Sequence, residues 1–286
     1  MKKNEVFEKI QFKILELMKT SGANWTKSWI SSGLPINVIT DKSYRGINTF
    51  WLSIQEFHTN DWATFKQWSS KGYKIKKGSK ATPIIFCESK QKKEKWLSDR
   101  ELKNYRKSGI LPYYWLWKTY MVFNGDQIED YISTSQNQNF EEKLTISKVK
   151  DVSIFIDNTS VNIIPSNNSA YYSSIVDEIG MPSIKSFNTD IDYFSTLLHE
   201  LTHWTGHKSR CDRDQSGTFG SANYAKEELI AEIGSAFLCQ ILGISKRIRK
   251  DHAQYLNHWI SLIEEDSKIM ITAFSKAQKA VDFVQN

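Results

Sequence analysis

The chain has 286 residues, enough for two domains, with 40% hydrophobic and 13% aromatic residues and a formal net charge of +6. No apolar run reaches the ~18 residues of a membrane helix, and Glu5, Glu8, Lys9, Lys13 and Glu16 break any secretory-signal core at the start. The three cysteines, Cys87, Cys211 and Cys239, are widely spaced and form no CxxC pair, which argues against a disulfide framework or a thiolate zinc site and for a reducing cytoplasm.

Along the chain, Val6, Ile10, Phe12, Ile14, Leu15 and Leu17 recur at roughly helical spacing and predict an amphipathic helix over 5–20. "SSGLPINV" is a loop, and "YRGINTFWLSIQEF" predicts a helix after a glycine turn. "WATFKQWSSKGYKIKKGSKATPIIFCES" predicts a helix stopped by Gly72, then two strands joined at Lys77-Gly78. Residues 89–110 are a charged insertion expected to form a hairpin or loop, and "YYWLWKTYMVFN" predicts a strand. Hydrophobicity drops over 131–150, the expected linker. Beyond it, "AYYSSIVDEIGMPSIKSF" predicts strands, and helices are expected at 190–206, 224–242 and 248–284, the last broken. The fold class is therefore α+β in two domains, 1–130 and 151–286.

Charge divides along the same line. Residues 1–125 carry 23 Lys+Arg against 10 Asp+Glu, a net +13, whereas 126–286 carry 15 against 22, a net −7. A basic half wants a polyanion. Eight of the ten tryptophans precede residue 118, Trp29 and Trp115 among them. Single-stranded nucleic acid is held by cationic grooves with aromatic platforms, because every base has a π-face to stack. Arg45, Lys66, Lys74, Lys76 and Lys77 are the candidate cations and Trp25 and Trp62 the candidate platforms. No helix-turn-helix is evident, so single-stranded DNA is the expected partner, with duplex DNA second.

The densest chemistry lies in "YFSTLLHELTHWTGH". Positions i and i+4 of a helix share a face, so His199 and His203 can offer two nitrogens to one ion. Glu200 stands beside them as a general base. A third ligand is needed. His207 lies one turn too far along unless the helix breaks at Gly206. "YAKEELIAEIGSAFL" offers Glu228 and Glu232, again i and i+4, on an otherwise apolar helix where a buried carboxylate is costly without a cation. Glu228 is the expected ligand and Glu232 the acceptor of a histidine N–H, with the reverse assignment open. Two imidazoles and a carboxylate suit one Zn2+ per chain, or another divalent transition metal, with a position left for water. Such a centre hydrolyses a carbonyl compound, most often a peptide. Tyr224, His207, Tyr193 and Tyr172 are candidates for an oxyanion donor, and "DEIGMPSIKSF" is expected as an edge strand that holds the peptide.

With these residues in view, the chain resembles the ArdC family of antirestriction proteins over almost its whole length. The resemblance rests on "GLPINVITDKSYRGINTFWL", "WATFKQWSSKGYKIKKGSKATPIIF" and "YMVFN" in the first half, and on "DEIGMPSIKSF", "YFSTLLHELTHWTGH" and "YAKEELIAEIGSAFL" in the second. It implies an N-terminal single-stranded DNA-binding domain, a C-terminal zincin-like metallopeptidase domain, and a role in shielding mobile-element DNA of plasmids or phages from host restriction. His199, Glu200 and His203 match the helix motif and Glu228 the downstream acid. Glu232 stands where related peptidases often place Asp or Asn.

Overall fold

Helix α1 (Lys3–Ser21) carries Val6, Ile10, Ile14 and Met18 four residues apart, and all four are fully buried on one face. The computed structural model describes residues 3–26, 33–133, 144–167, 169–245 and 252–286. The first half is built on a five-stranded sheet of β1 (Ile36–Asn37), β2 (Lys42–Ser43), β3 (Asp61–Thr64), β4 (Thr82–Gln91) and β5 (Tyr113–Asn124). Its order is β2-β1-β3-β5-β4, antiparallel except for the β1–β3 pair. Helices α2 (Ile47–Ser53) and α3 (Phe65–Ser70) interrupt it. A reciprocal cap starts α3: the Gln67 N–H donates to Thr64 Oγ1 at 3.3 Å, and the Thr64 N–H donates to Gln67 Oε1 at 2.9 Å.

The hairpin expected at Lys77-Gly78 does not form. β4 is taken up by a ten-pair ladder with β5, from Thr82↔Val122 to Gln91↔Tyr113. The lysine-rich segment before it is a loop pinned by the single bridge Ile75↔Ile128. The charged insertion is the far end of that ladder, closed by a 3₁₀ turn (Glu94–Trp96) and α4 (Asp99–Ser108). α4 starts on a Ser98/Glu101 capping box and ends at Gly109, whose φ of 68° is the left-handed region that glycine enters freely.

In the second half, α5 (Ile146–Asn158) begins inside the expected linker, capped by Thr145, while residues 134–143 of that linker lie outside the described residues. β6 (Asn162–Pro165), β7 (Tyr171–Ser173) and β8 (Glu178–Met181) form a sheet in the order β6-β8-β7. β8 is therefore central, and the expectation that "DEIGM" forms an edge is corrected: its two sides pair with β6 and β7. α6 (Asp190–Trp204) and α7 (Ala222–Leu242) follow. Then come α8 (His252–Glu265) and α9 (Ser267–Gln285), separated at Asp266, whose side chain caps α9. The start of the predicted last helix, 248–251, lies outside the described residues.

α6 and α7 pack closely because α7 has Gly234 at the crossing, where an added Cβ would come 2.5 Å from Thr202 Cγ2. The hydrophobic core does not respect the division at 131–150. One cluster joins α1, Trp25, Phe50 and Ile85 to the buried faces of α6, α7, α8 and α9. Gln11 Nε2 donates to the Ile263 carbonyl at 2.8 Å across that junction. Among the described residues, no helix is long and apolar enough to cross a membrane.

Candidate functional site

Thr189 caps α6 in a reciprocal box with Asp192, and Leu197, Leu198 and Leu201 sink the helix into the core. That anchoring carries His199 and His203 to face α7, with Glu200 buried between the helix and a cleft. His199 Nε2 and His203 Nε2 lie 3.1 Å apart. The Glu228 carboxylate comes within 3.5 Å of the first and 3.3 Å of the second. A tetrahedral ion with ligand bonds of about 2.0–2.1 Å needs its ligand atoms about 3.3 Å apart. The three side chains fit that requirement.

Electrostatics favours a cation as well. Glu200, Glu227, Glu228 and Glu232 are all buried, and burying several carboxylates together is unfavourable unless positive charge meets them. Burial pushes the Glu228 carboxyl up, but the imidazoles of His203 and His199 outweigh it and hold it well below the usual range. Burial likewise pushes the His203 imidazole down, and the Glu228 and Glu227 carboxylates reverse that, raising it to about 10.

Each histidine has a carboxylate behind it. Glu232 Oε2 lies 3.8 Å from His199 Nδ1, and its other oxygen accepts from Thr26 Oγ1 at 3.1 Å, so the first half of the chain reaches the back of the centre. His203 Nδ1 lies 3.2 Å from Glu227 Oε1. Glu227 is in turn gripped by Arg213, through Nε at 3.0 Å and Nη2 at 2.7 Å. Arg213 also donates to Thr205 Oγ1 at 2.8 Å and to the Thr202 carbonyl at 2.6 Å, tying the end of α6 to α7. Sequence reasoning missed the Glu227–Arg213 pair. The signal available was a third acid in "KEELIAE" and an arginine shortly after the histidine helix.

The cleft over this centre has a volume of about 190 Å³ and is walled by Tyr171 and Tyr172 of β7, by Gln215 and Gly217, and by Asn223 and Tyr224. The sheet therefore does put an edge at the site, but the edge is β7. Burial and the nearby Glu228 charge raise the Tyr224 hydroxyl above its ordinary range, so it stays a proton donor facing the cleft. His207 lies off the cleft: α6 ends at Trp204, and His207 Nδ1 contacts Ser209 Oγ at 2.8 Å. Tyr172 lines the cleft but donates to Asp177 at 2.9 Å, and Tyr193 packs against Phe187 and Phe194.

The nucleic-acid candidates of the first half need correction. Trp25 and Trp62 are each 1% exposed and serve the core, because a flat indole between sheet and helix is worth more buried than solvated. Trp29 lies outside the described residues. Arg45 is exposed but ion-paired to Asp282 on α9. Lys66 is exposed on α3, and Lys74, Lys76 and Lys77 are exposed on the loop, where Lys76 Nζ also reaches the Asp126 carbonyl. The exposed aromatics are others. Phe86 and Tyr120 share one sheet face, since Phe86 pairs with Lys118 and Ile84 with Tyr120, and their rings meet edge-on at 6.2 Å. Beside them, Phe65, Lys66, Tyr44 and Gln67 line a groove of about 730 Å³.

Two family models match the chain: the N-terminal domain of anti-restriction factor ArdC over residues 4–123, and a zincin-like metallopeptidase over residues 150–276. Crystal structures of the antirestriction ArdC protein from plasmid R388, one metal-free and one Mn(II)-bound, superpose with a TM-score of 0.78 at 29% identity, over 98% of this chain and 96% of theirs. An uncharacterized protein, y4eC, of Sinorhizobium fredii is 27% identical over 98% of this chain and 91% of its own length. A DNA primase TraC of Escherichia coli is 32% identical over 99% of this chain, which spans only 27% of the primase.

Proposed function

Because the chain belongs to the ArdC-like antirestriction family, with that family's N-terminal domain and a zincin-like metallopeptidase domain, we propose that it binds single-stranded DNA and cleaves a peptide bond, shielding mobile-element DNA from host restriction in the cytoplasm. The observation that carries the hydrolytic half is the convergence of His199, His203 and Glu228 at 3.1–3.5 Å with Glu200 at their side. These residues would hold a divalent ion, zinc by the number and softness of the donors, and it would supply Lewis-acid polarisation of the scissile carbonyl.

The protein's own groups do the rest. Glu200 accepts the proton of the attacking water and returns it to the leaving nitrogen as the C–N bond breaks. Tyr224 donates a hydrogen bond to the carbonyl oxygen as that oxygen gains charge. The Glu227–Arg213 pair holds the His203 ring, and Glu232 backs His199. β7 offers its outer edge to an extended peptide. In the first half, Phe86, Tyr120 and Phe65 supply stacking faces and Lys66 charge, with Lys74, Lys76 and Lys77 a further basic loop that duplex DNA could also meet.

The test pairs wild type with Glu200→Gln. Both should hold about one zinc per chain, and only wild type should cut a peptide library. Equal cleavage by both refutes the base assignment. Restriction protection that survives the substitution intact transfers the biological role to occlusion of DNA around a structural metal.

A further inference from the structure

The far end of the β4–β5 ladder takes no part in either site. Residues 89–113 carry eight Lys+Arg against three Asp+Glu, a net +5 concentrated on a projecting arm. The charge is ordered. At about 100° per residue, Arg100, Lys103, Arg106 and Lys107 of α4 fall within about 120° of arc. Glu101, Leu102 and Tyr105 occupy the opposite side and are half-buried against the arm. Of the three carboxylates on the arm, Glu101 meets Lys92 at 2.7 Å and caps the helix, and Glu94 accepts from the Tyr105 hydroxyl at 2.8 Å. Exposed Asp99 falls within the same arc, so four cations against one acid leave the stripe a net +3. All four cations of the stripe are exposed, and none is ion-paired among the described residues.

Aromatic faces accompany them. On β5, Tyr113, Trp115 and Trp117 share a face by alternation. Trp117 is covered by Phe7 of α1 at 5.5 Å, but α1 does not reach further out, and Trp115 and Tyr113 are 68% and 59% exposed. Bare indole and phenol rings on a basic arm are unsuited to a solvated surface and suited to a strand whose bases are unstacked. An acidic protein would use the charges and leave the rings idle.

We infer that this arm is a second contact for single-stranded nucleic acid, separate from the sheet groove, with phosphates on the α4 stripe and bases on Trp115 and Tyr113. The inference rests on the nucleic-acid reading above but falls independently of it. The experiment titrates a fluorescent oligothymidine with the full chain over a series of salt concentrations. Each lost phosphate contact on a single strand lowers the log–log salt slope by about 0.7. The variant Arg100→Gln/Lys103→Gln/Arg106→Gln/Lys107→Gln should therefore lower it by up to about 3, with a melting temperature within about 5 °C of wild type, because the four side chains are exposed and lose only the weak attraction of Arg106 and Lys107 to the helix C-terminus. Trp115→Ala should weaken binding roughly tenfold at fixed salt. Wild-type slope in the fourfold variant overturns the inference, as does equal loss by Trp115→Ala against poly-glutamate of matched charge. Phe86→Ala/Tyr120→Ala tests the groove alone. Should wild type bind no oligonucleotide at low salt, the nucleic-acid reading itself falls.

Discussion

Replacing Arg213 by Met isolates what the charge pair behind His203 does. The guanidinium is 2% exposed and the Glu227 side chain 8%, so the pair is shielded from solvent. Arg213→Met takes from a buried carboxylate its bidentate partner and leaves it only the His203 ring and Gln215, a loss of up to about 3–5 kcal/mol, and removes hydrogen bonds to Thr205 and the Thr202 carbonyl worth about 1–2 kcal/mol together. At roughly 2–4 °C per kcal/mol for a chain of this size, melting should fall by on the order of 10 °C or more. The double variant Arg213→Met/Glu227→Met removes the stranded charge and should recover at least half of that loss. Metal binding should not recover, because His203 Nδ1 has lost its carboxylate, and affinity should stay about 10–100-fold below wild type. Calorimetry of the metal-free proteins and zinc competition against a chelator read the two effects separately. A double variant as unstable as the single refutes the stranded-charge reasoning. One that binds zinc like wild type refutes the positioning of His203.

His199→Ala, His203→Ala and Glu228→Ala should each abolish stoichiometric zinc in metal analysis, whereas His207→Ala should leave it unchanged. Gly234→Ala drives a methyl group to within 2.5 Å of Thr202 Cγ2, and the overpacking should cost about 1–3 kcal/mol; Thr202→Ala in the same chain should relieve most of it in denaturant melts. Asp177 is held below the ordinary carboxylate range chiefly by its hydrogen bonds from Arg210, against an upward push from burial that the hydrogen bond from Tyr172 helps to offset. Its contribution is therefore present above the unfolded carboxylate pKa and lost as pH falls through the lower folded value. Asp177→Asn should flatten the acid limb of stability below about pH 4 and leave the profile above it parallel to wild type.

What could be read from the chain alone follows the range of the forces involved. His199 and His203 are legible because helix geometry is local, and so is Glu228, because an acid on an apolar helix advertises a missing cation. Arg213 is not, since it lies in an irregular segment and meets Glu227 only when α6 and α7 are docked. β7 and β8 could each be seen as strands, but which one is central depends on β6, which pairs with β8 from well upstream in the chain. Trp25 and Trp62 carry no local mark of burial, and composition could count aromatics without sorting them. The alternation in "PIIFCESK" against "WKTYMV" did hold the exposed pair Phe86 and Tyr120, but only the ladder register puts them on one face. For the insertion, Ser98 and Glu101 spelled a capping box in plain view.

The apolar stripe of α1 reaches across to α8 and α9, and burying Val6, Ile10, Ile14 and Met18 contributes about 6–12 kcal/mol at most. That rivals the entire net stability of an ordinary folded chain. Cutting the gene between the two sheets would thus give two fragments that each display a raw seam, and neither should persist alone in a cell full of proteases. A primase that matches 99% of this chain inside one several times longer carries both sides of that seam together.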